Sequence, residues 1–219
     1  MANMQATAHA VTDVCFADIV AARQRIAGGV LVTPCVESPA LSAITGAQVF
    51  CKLEYQQRAG SFKERGACNA LLLLNAEERA RGVIAASAGN HALALALHGK
   101  RLGIPVTVVM PTHAPLVKQR RCRELGARVL NHGDNIAEAR SRADLLVADE
   151  RLTYINGFND AAIVAGQGTV GLEILEQVAD LDAIVVPIGG AGLIAGIALA
   201  TKELAPRVRI VGVEPSRCA

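Results

Sequence analysis

The sequence predicts an α/β fold, with open parallel sheets and helices on both faces. Three observations carry this expectation. Short apolar runs alternate with helical patterns along the chain, as in successive βαβ units. The spacing between them is tight, which suits parallel strands joined by crossover helices and covered on both sides. Gly or Pro marks most junctions, as in GIP (103–105), LGA (125–127) and NHGDN (131–135).

In chain order, the first expected strand is QVFCKLE (48–54), and a helix is expected over 63–79. Ser61 followed by Glu64 reads as a capping box at the start of that helix. GVIAAS (82–87) follows as a strand and runs through a small-residue turn into a helix over 90–101. PVTVVM (105–110), RVLNH (128–132) and LTYING (152–157) are the next strands, separated by helices over 114–125 and 135–150. A helix over 160–177 leads to AIVVPI (183–188), a helix over 191–204 and a last strand, RIVGVE (209–214). The uncharged stretch 183–201 is long enough to cross a bilayer, but Pro187 and the glycines after it divide it into strand, turn and helix. The reading is therefore a chain with no membrane span.

Composition narrows the partners. The 219 residues are 52% hydrophobic and 19% charged, enough for one or two domains with a sizeable core. Twenty-two basic against 20 acidic residues leave a net charge of +2, which gives no reason to expect a nucleic acid. The basic run KQRRCRELGAR (118–128) reads as the solvated face of a helix. Cys15, Cys35, Cys51, Cys68, Cys122 and Cys218 are scattered without metal-type spacing, as expected of reduced thiols in a cytoplasmic protein. The N-terminal stretch MANMQATAHAVTDV shows no signal peptide.

Open α/β sheets bind ligands at the carboxyl ends of their strands, and three strand ends carry unusual sequence. In AGSFKERGACNA (59–70), Lys63 falls in the first turn of a helix, where the dipole disfavours a cation. An exposed lysine is one reading; an amine held neutral enough to act as nucleophile and base is the other. In ASAGNHALALA (86–96), the turn Ser87–Ala88–Gly89 points N–H groups at a helix start, where a carboxylate can bind, and Asn90 adds a side-chain donor. His91 taken alone reads as a packed or capping histidine. In PIGGAGLIAG (187–196), Gly189, Gly190 and Gly192 shape a turn suited to a phosphate, without the spacing of a dinucleotide fingerprint or a P-loop. An amine, a carboxylate cradle and a phosphate cradle together match pyridoxal 5'-phosphate and an amino-acid substrate.

GSFKERGA, SAGNHA and GGAGL resemble the lysine, substrate-carboxylate and phosphate-loop motifs of the threonine/serine dehydratases. These are pyridoxal-phosphate enzymes of fold type II, the tryptophan synthase β-like class. The similarity extends from FADIVAARQRI (16–26) through AGQGTVGLEILEQ (165–177) to VGVEP (211–215). It implies a small α/β domain over 65–153, inserted into a large cofactor-binding domain formed by 1–64 and 154–219. It also implies that Lys63 holds the cofactor's aldehyde and shuttles the Cα proton. Phe62 would flank the ring, Asn90 would bond its hydroxyl, and Gly189, Gly190, Ala191, Gly192 and Leu193 would bind the phosphate. Ser87, Ala88, Gly89, Asn90 and His91 would line the substrate carboxylate. The implied reaction is deamination of L-threonine or L-serine to a 2-oxo acid and ammonia, in isoleucine synthesis or threonine breakdown, by a homo-oligomer.

Three departures from the family pattern stand out. Ala191 replaces the third glycine of the phosphate loop, with a Cβ that is costly if φ is positive. Ala88 occupies the place of the second catalytic serine of serine racemases, which disfavours racemisation. The family continues beyond EPSRCA, so the large domain is expected to be incomplete here, and the chain reads as a fragment or one piece of a split enzyme. Glu214 matches the first ligand of a cation site whose later acidic ligand would lie past Ala219. Rival readings are a β-replacement enzyme, whose asparagine loop usually carries threonines, and an inactive remnant or interaction protein exposing apolar surface around RIVGVE.

Overall fold

The computed structural model describes residues 14–217. Cys218 and residues 1–13, read above for a free thiol and a signal peptide, lie outside them.

The chain opens with α1 (Phe16–Ile26), β1 (Cys35–Glu37), α2 (Pro39–Thr45) and β2 (Phe50–Lys52). Next come α3 (Lys63–Leu73), α4 (Ala76–Arg81), β3 (Val83–Ala86), α5 (Asn90–Leu102), β4 (Val106–Met110) and α6 (Leu116–Glu124). They are followed by β5 (Arg128–Asn131), α7 (Ile136–Glu150), β6 (Thr153–Tyr154), α8 (Ala161–Gln177), β7 (Ala183–Pro187), α9 (Gly192–Leu204) and β8 (Arg209–Val213). The expected α/β alternation is present, and each of the seven expected strands contains an observed one.

Two expectations need correction. The helix expected over 63–79 is two helices, because Asn75 starts a new one. Its side chain accepts from Glu78 N at 2.9 Å, and Glu78 Oε2 accepts from Asn75 N at 2.9 Å, a reciprocal cap that ends α3 and begins α4. The sheets are also not all parallel: β1 and β2 pair antiparallel, with Val36 opposite Cys51.

The central sheet has four parallel strands in the order β5-β4-β3-β6. Alternation sends its side chains to two helical layers. Val83, Ala85 and Val108 pack with α3 and α5 through Leu71, Leu93 and Leu95. Ile84 and Val109 pack on α7, where Ala139, Ala143 and Leu146 let the helix lie close. β7 and β8 form a separate parallel pair covered by α9 on one face. Their other face exposes Val185 (65%), Val211 (41%) and Val213 (53%), the apolar surface expected around RIVGVE.

The helix α8 organises the rest. Residues two apart on a helix point about 200° apart, so Gly166 and Gly168 open opposite faces. A Cβ on Gly166 would meet the Gly66 and Arg65 backbone of α3, and one on Gly168 would meet Gly196 of α9 and Ile19 of α1. AGQGTVGLE is therefore the seat on which the Lys63 helix and the glycine-loop helix both rest. Cys68 and Cys122 are buried free thiols, and burial pushes both up to about 11.

Candidate active site

The strand order places a crevice between β3 and β6. From β3 the chain steps outward to β4 and β5, then returns to the other side of β3 as β6. Such reversal points are where open α/β sheets bind ligands. The turn Ser87–Gly89 leaves β3 at this crevice, and the segment Ile155–Phe158 leaves β6 beside it.

All three singled-out loops touch that segment. Lys63 Nζ donates to the Gly157 carbonyl at 2.5 Å. The His91 ring lies against the Gly157 Cα, where an added Cβ would come within 2.8 Å of it. A Cβ on Gly190 would overlap the Phe158 side chain, and one on Gly192 would overlap the Phe158 carbonyl. Residues 155–157, expected within the strand LTYING, lie past the end of β6 at Tyr154 and, with Phe158, join the three loops. The available signal was a fourth strand end carrying Gly157 and Phe158.

Lys63 is the first residue of α3. The capping box expected from Ser61 and Glu64 is not formed. Phe62 precedes the helix in a helical conformation, Ser61 Oγ is buried without a partner, and the Glu64 carboxylate accepts instead from Ala59 N. The second Glu64 oxygen faces His98 Nε2 at 3.3 Å, in a buried contact off hydrogen-bond geometry. Burial lowers the Lys63 pKa, and the helix start acts in the same direction. Its Nζ lies 5.3 Å from the centroid of the Phe62 ring, which packs onto the α9 and β7 core.

Arg65, two residues on, fastens α3 in place. Its guanidinium bonds Glu54 at 2.7 and 2.8 Å and Glu173 at 2.6 and 2.8 Å, with Thr169 at 3.1 Å. Lys52 Nζ reaches the same Glu173 at 2.6 Å. The two cations and two carboxylates balance, and Arg65 is fully buried. Burial, the largest single influence, raises the Glu54 carboxyl, but the hydrogen bonds and charge of Arg65, the Thr33 hydroxyl and the Lys52 charge together outweigh it and lower the pKa. Lys52, Glu54, Arg65 and Glu173 were not singled out in the sequence; only their place in the KLE, KERGA and GLE runs hints at them.

Beyond β3, Ser87 Oγ accepts from Gly89 N at 3.3 Å, tightening the turn over the half-buried Ala88. Asn90 begins α5 with an exposed side chain, and its Oδ1 accepts from Lys118 Nζ at 2.7 Å. Lys118 is thus engaged rather than part of a purely solvated face. His91 Nε2 lies 3.1 Å from the Ile155 carbonyl; a carbonyl only accepts, so this nitrogen carries the proton. Burial first, and the nearby Lys63 charge second, push His91 down to about 4 against the raising effect of that hydrogen bond. It is a neutral packed histidine, as its residue pattern alone suggested.

The glycine turn ends in Ala191, which has φ +61° and caps α9 with a left-handed backbone. Gly192 and Leu193 open the helix; Gly192 N donates to the Gly190 carbonyl at 2.9 Å, and the Leu193 N–H has no intrahelical acceptor. Gly189 has no heavy atom within 4 Å of an ideal Cβ, so the turn has an open side. Glu214 is exposed just past β8. Among the described residues no group of three or more His, Cys, Asp or Glu could hold a metal.

The half-buried Lys63 amine, the start of α5 at His91 and the glycine turn before α9 thus meet residues 155–158, with Asn90 next to His91. Their chemistry fits the aldehyde, ring hydroxyl and phosphate of pyridoxal phosphate. A family model described as pyridoxal-phosphate dependent enzyme matches residues 26–219. The chain belongs to this family.

Among relatives of this pyridoxal-phosphate family member, the L-threonine ammonia-lyase of Thermotoga maritima is 44% identical over 197 residues, covering 90% of this chain and 49% of that protein. The threonine deaminase isoform 2 structure from Solanum lycopersicum superposes with a TM-score of 0.85 at 41% identity, covering 91% of this chain and 55% of that one. Maize serine racemase superposes with a TM-score of 0.90 at 38% identity, covering 93% and 62%. The fold is therefore that of the type II pyridoxal-phosphate enzymes. The chain spans 49% to 60% of the length of the curated relatives it matches. No helix among the described residues is long and apolar enough to cross a membrane.

Proposed function

We propose that this chain carries the cofactor and substrate loops of an ammonia-lyase that deaminates L-threonine or L-serine to a 2-oxo acid. The single observation that carries this reading is the Lys63 amine, half-buried and held at the Gly157 carbonyl where the carboxylate and phosphate loops converge. When bound, pyridoxal phosphate supplies a conjugated electron sink beside the substrate's Cα–H and β-hydroxyl.

The chain's own residues have defined tasks. Lys63 Nζ, with its pKa lowered by burial, would hold the aldehyde and, once the substrate's amine has displaced it there, would be free to hold the Cα proton. The turn Gly189 to Leu193 would hold the phosphate through its N–H groups, although Gly192 N donates to the Gly190 carbonyl here, and Phe62 would flank the ring. The turn Ser87–Asn90 orients the carboxylate at the start of α5. Asn90 would donate to the ring hydroxyl. Ala88 has no acid or base to deliver a proton from a second side, which favours deamination over racemisation despite the likeness to serine racemase. A small domain over 65–153, set into a large one from 1–64 and 154–219, takes in three strands of the four-stranded sheet and half of β6, whose Tyr154 falls across the boundary. The chain's role in this reading is threonine breakdown, the role printed in the name of the catabolic threonine dehydratase relative, or isoleucine synthesis, in a homo-oligomeric cytoplasmic enzyme.

The test is 2-oxo acid release from L-threonine and from L-serine by the chain supplied with pyridoxal phosphate. Turnover that disappears in Lys63→Ala supports the reading. A chain that holds the cofactor through Lys63 and still forms no 2-oxo acid from either substrate overturns it.

A further inference from the structure

A side-chain amide can offer a ligand either its oxygen or its NH2 group, and an exposed one at a helix start turns freely between the two. Asn90 is so placed, and Lys118 removes the choice. Its Nζ donates to Asn90 Oδ1 at 2.7 Å, across 28 residues of chain. An ammonium has donors only, so the atom facing it is the oxygen, and the NH2 group is what Asn90 has left to offer.

The location of Lys118 fits this use. It is the third residue of α6, where the helix dipole disfavours a cation, and no acidic residue occupies that first turn. Like Lys63, it stands at a helix start that its charge does not stabilise, and its bond is to the first residue of the helix after β3.

We propose that Lys118 is a positioning residue that locks the Asn90 amide with its hydrogens presented to an electron-rich ligand oxygen. This rests on the reading of Asn90 as the donor to the cofactor's ring hydroxyl. Lys118 then acts on the cofactor through Asn90 rather than by its own contact.

A double-mutant cycle tests it, with pyridoxal phosphate titrated into the wild-type chain, Lys118→Met, Asn90→Ala and the double variant. The visible band of the lysine-linked cofactor gives the affinity, and a thermal melt checks folding. Lys118→Met should weaken binding about tenfold, the weight of about one charge-assisted hydrogen bond. It should have no further effect once Asn90 is alanine, and Lys118→Arg should retain most of the affinity. Wild-type affinity in Lys118→Met, or full additivity in the double variant, overturns the proposal. Lys118→Gln repeats the comparison if the methionine variant does not fold.

A second readout needs no cofactor. In 15N-labelled ligand-free protein, the Asn90 side-chain NH2 resonances should move in Lys118→Met and stay close to their wild-type positions in Lys118→Arg. Superimposable Asn90 resonances in wild type and Lys118→Met overturn the proposal. If the wild type takes up no cofactor, the reading of the site fails separately, and this spectrum still decides the lock.

Discussion

Lys63 Nζ lies 2.5 Å from the carbonyl oxygen of Gly157, 94 residues away in sequence. This contact draws the helix after β2 to the strand end after β6, and burial there lowers the lysine's pKa. At a given pH the amine should therefore be neutral more often than an exposed lysine. Competitive acylation followed by peptide mass spectrometry should give Lys63 a pH–reactivity midpoint below those of the exposed lysines. A midpoint equal to theirs would show that the amine is solvated.

His91 makes stability depend on pH. Its pKa is about 4 when folded, against an ordinary value near 6.5, so its contribution is fully present above about 6.5. As pH falls from there to about 4, the unfolded chain takes up a proton that the folded one does not, and stability declines. The loss should reach about 3 kcal/mol and then level off as the folded histidine also protonates. Urea unfolding at pH 7.0 and pH 4.5 should show a steeper loss for wild type than for His91→Asn.

Two carboxylates on α8 should behave differently. Glu173 is nearly buried between Arg65 and Lys52, whereas Glu176 meets Arg23 at the surface. Removing one partner of a buried ion network leaves charge uncompensated, so Glu173→Leu should lower stability by about 3–5 kcal/mol. Glu176→Ala should lower it by less than about 1 kcal/mol, because solvent screens the exposed pair. Denaturant midpoints measured side by side separate the two.

The glycine turn allows substitutions of opposite sign. Ala191 sits at φ +61°, which strains a residue with a Cβ, so Ala191→Gly should be neutral or stabilise by up to about 1 kcal/mol. Gly190→Ala and Gly192→Ala should destabilise, because their new methyl groups would overlap Phe158. Thermal melts of the three variants check the order.

Much of the α/β alternation was legible because period and punctuation agreed: apolar runs ended at Gly or Pro, and helices began after small polar turns. β1 and α2 were missed because they are short, with Leu41 and Ile44 of α2 left exposed. The break at Asn75 was hidden because a capping box inside a helical run looks like more helix. The motif around Lys63 was visible, but its cap was misread: Ser61 and Glu64 have the right spacing, yet the Glu64 side chain turns to Ala59 and His98. The hub at Gly157 and the Arg65–Glu173 pair depend on contacts across about a hundred residues, which no local pattern encodes. Lys118 was hidden in a basic run whose other members face solvent or other partners.

The central claim is that Lys63 joins the three loops into one site for pyridoxal phosphate. The most direct measurement is the absorption spectrum of the purified chain mixed with pyridoxal phosphate, beside Lys63→Ala. The account predicts a visible band of lysine-linked cofactor in the wild type that the variant lacks. Identical spectra would contradict it.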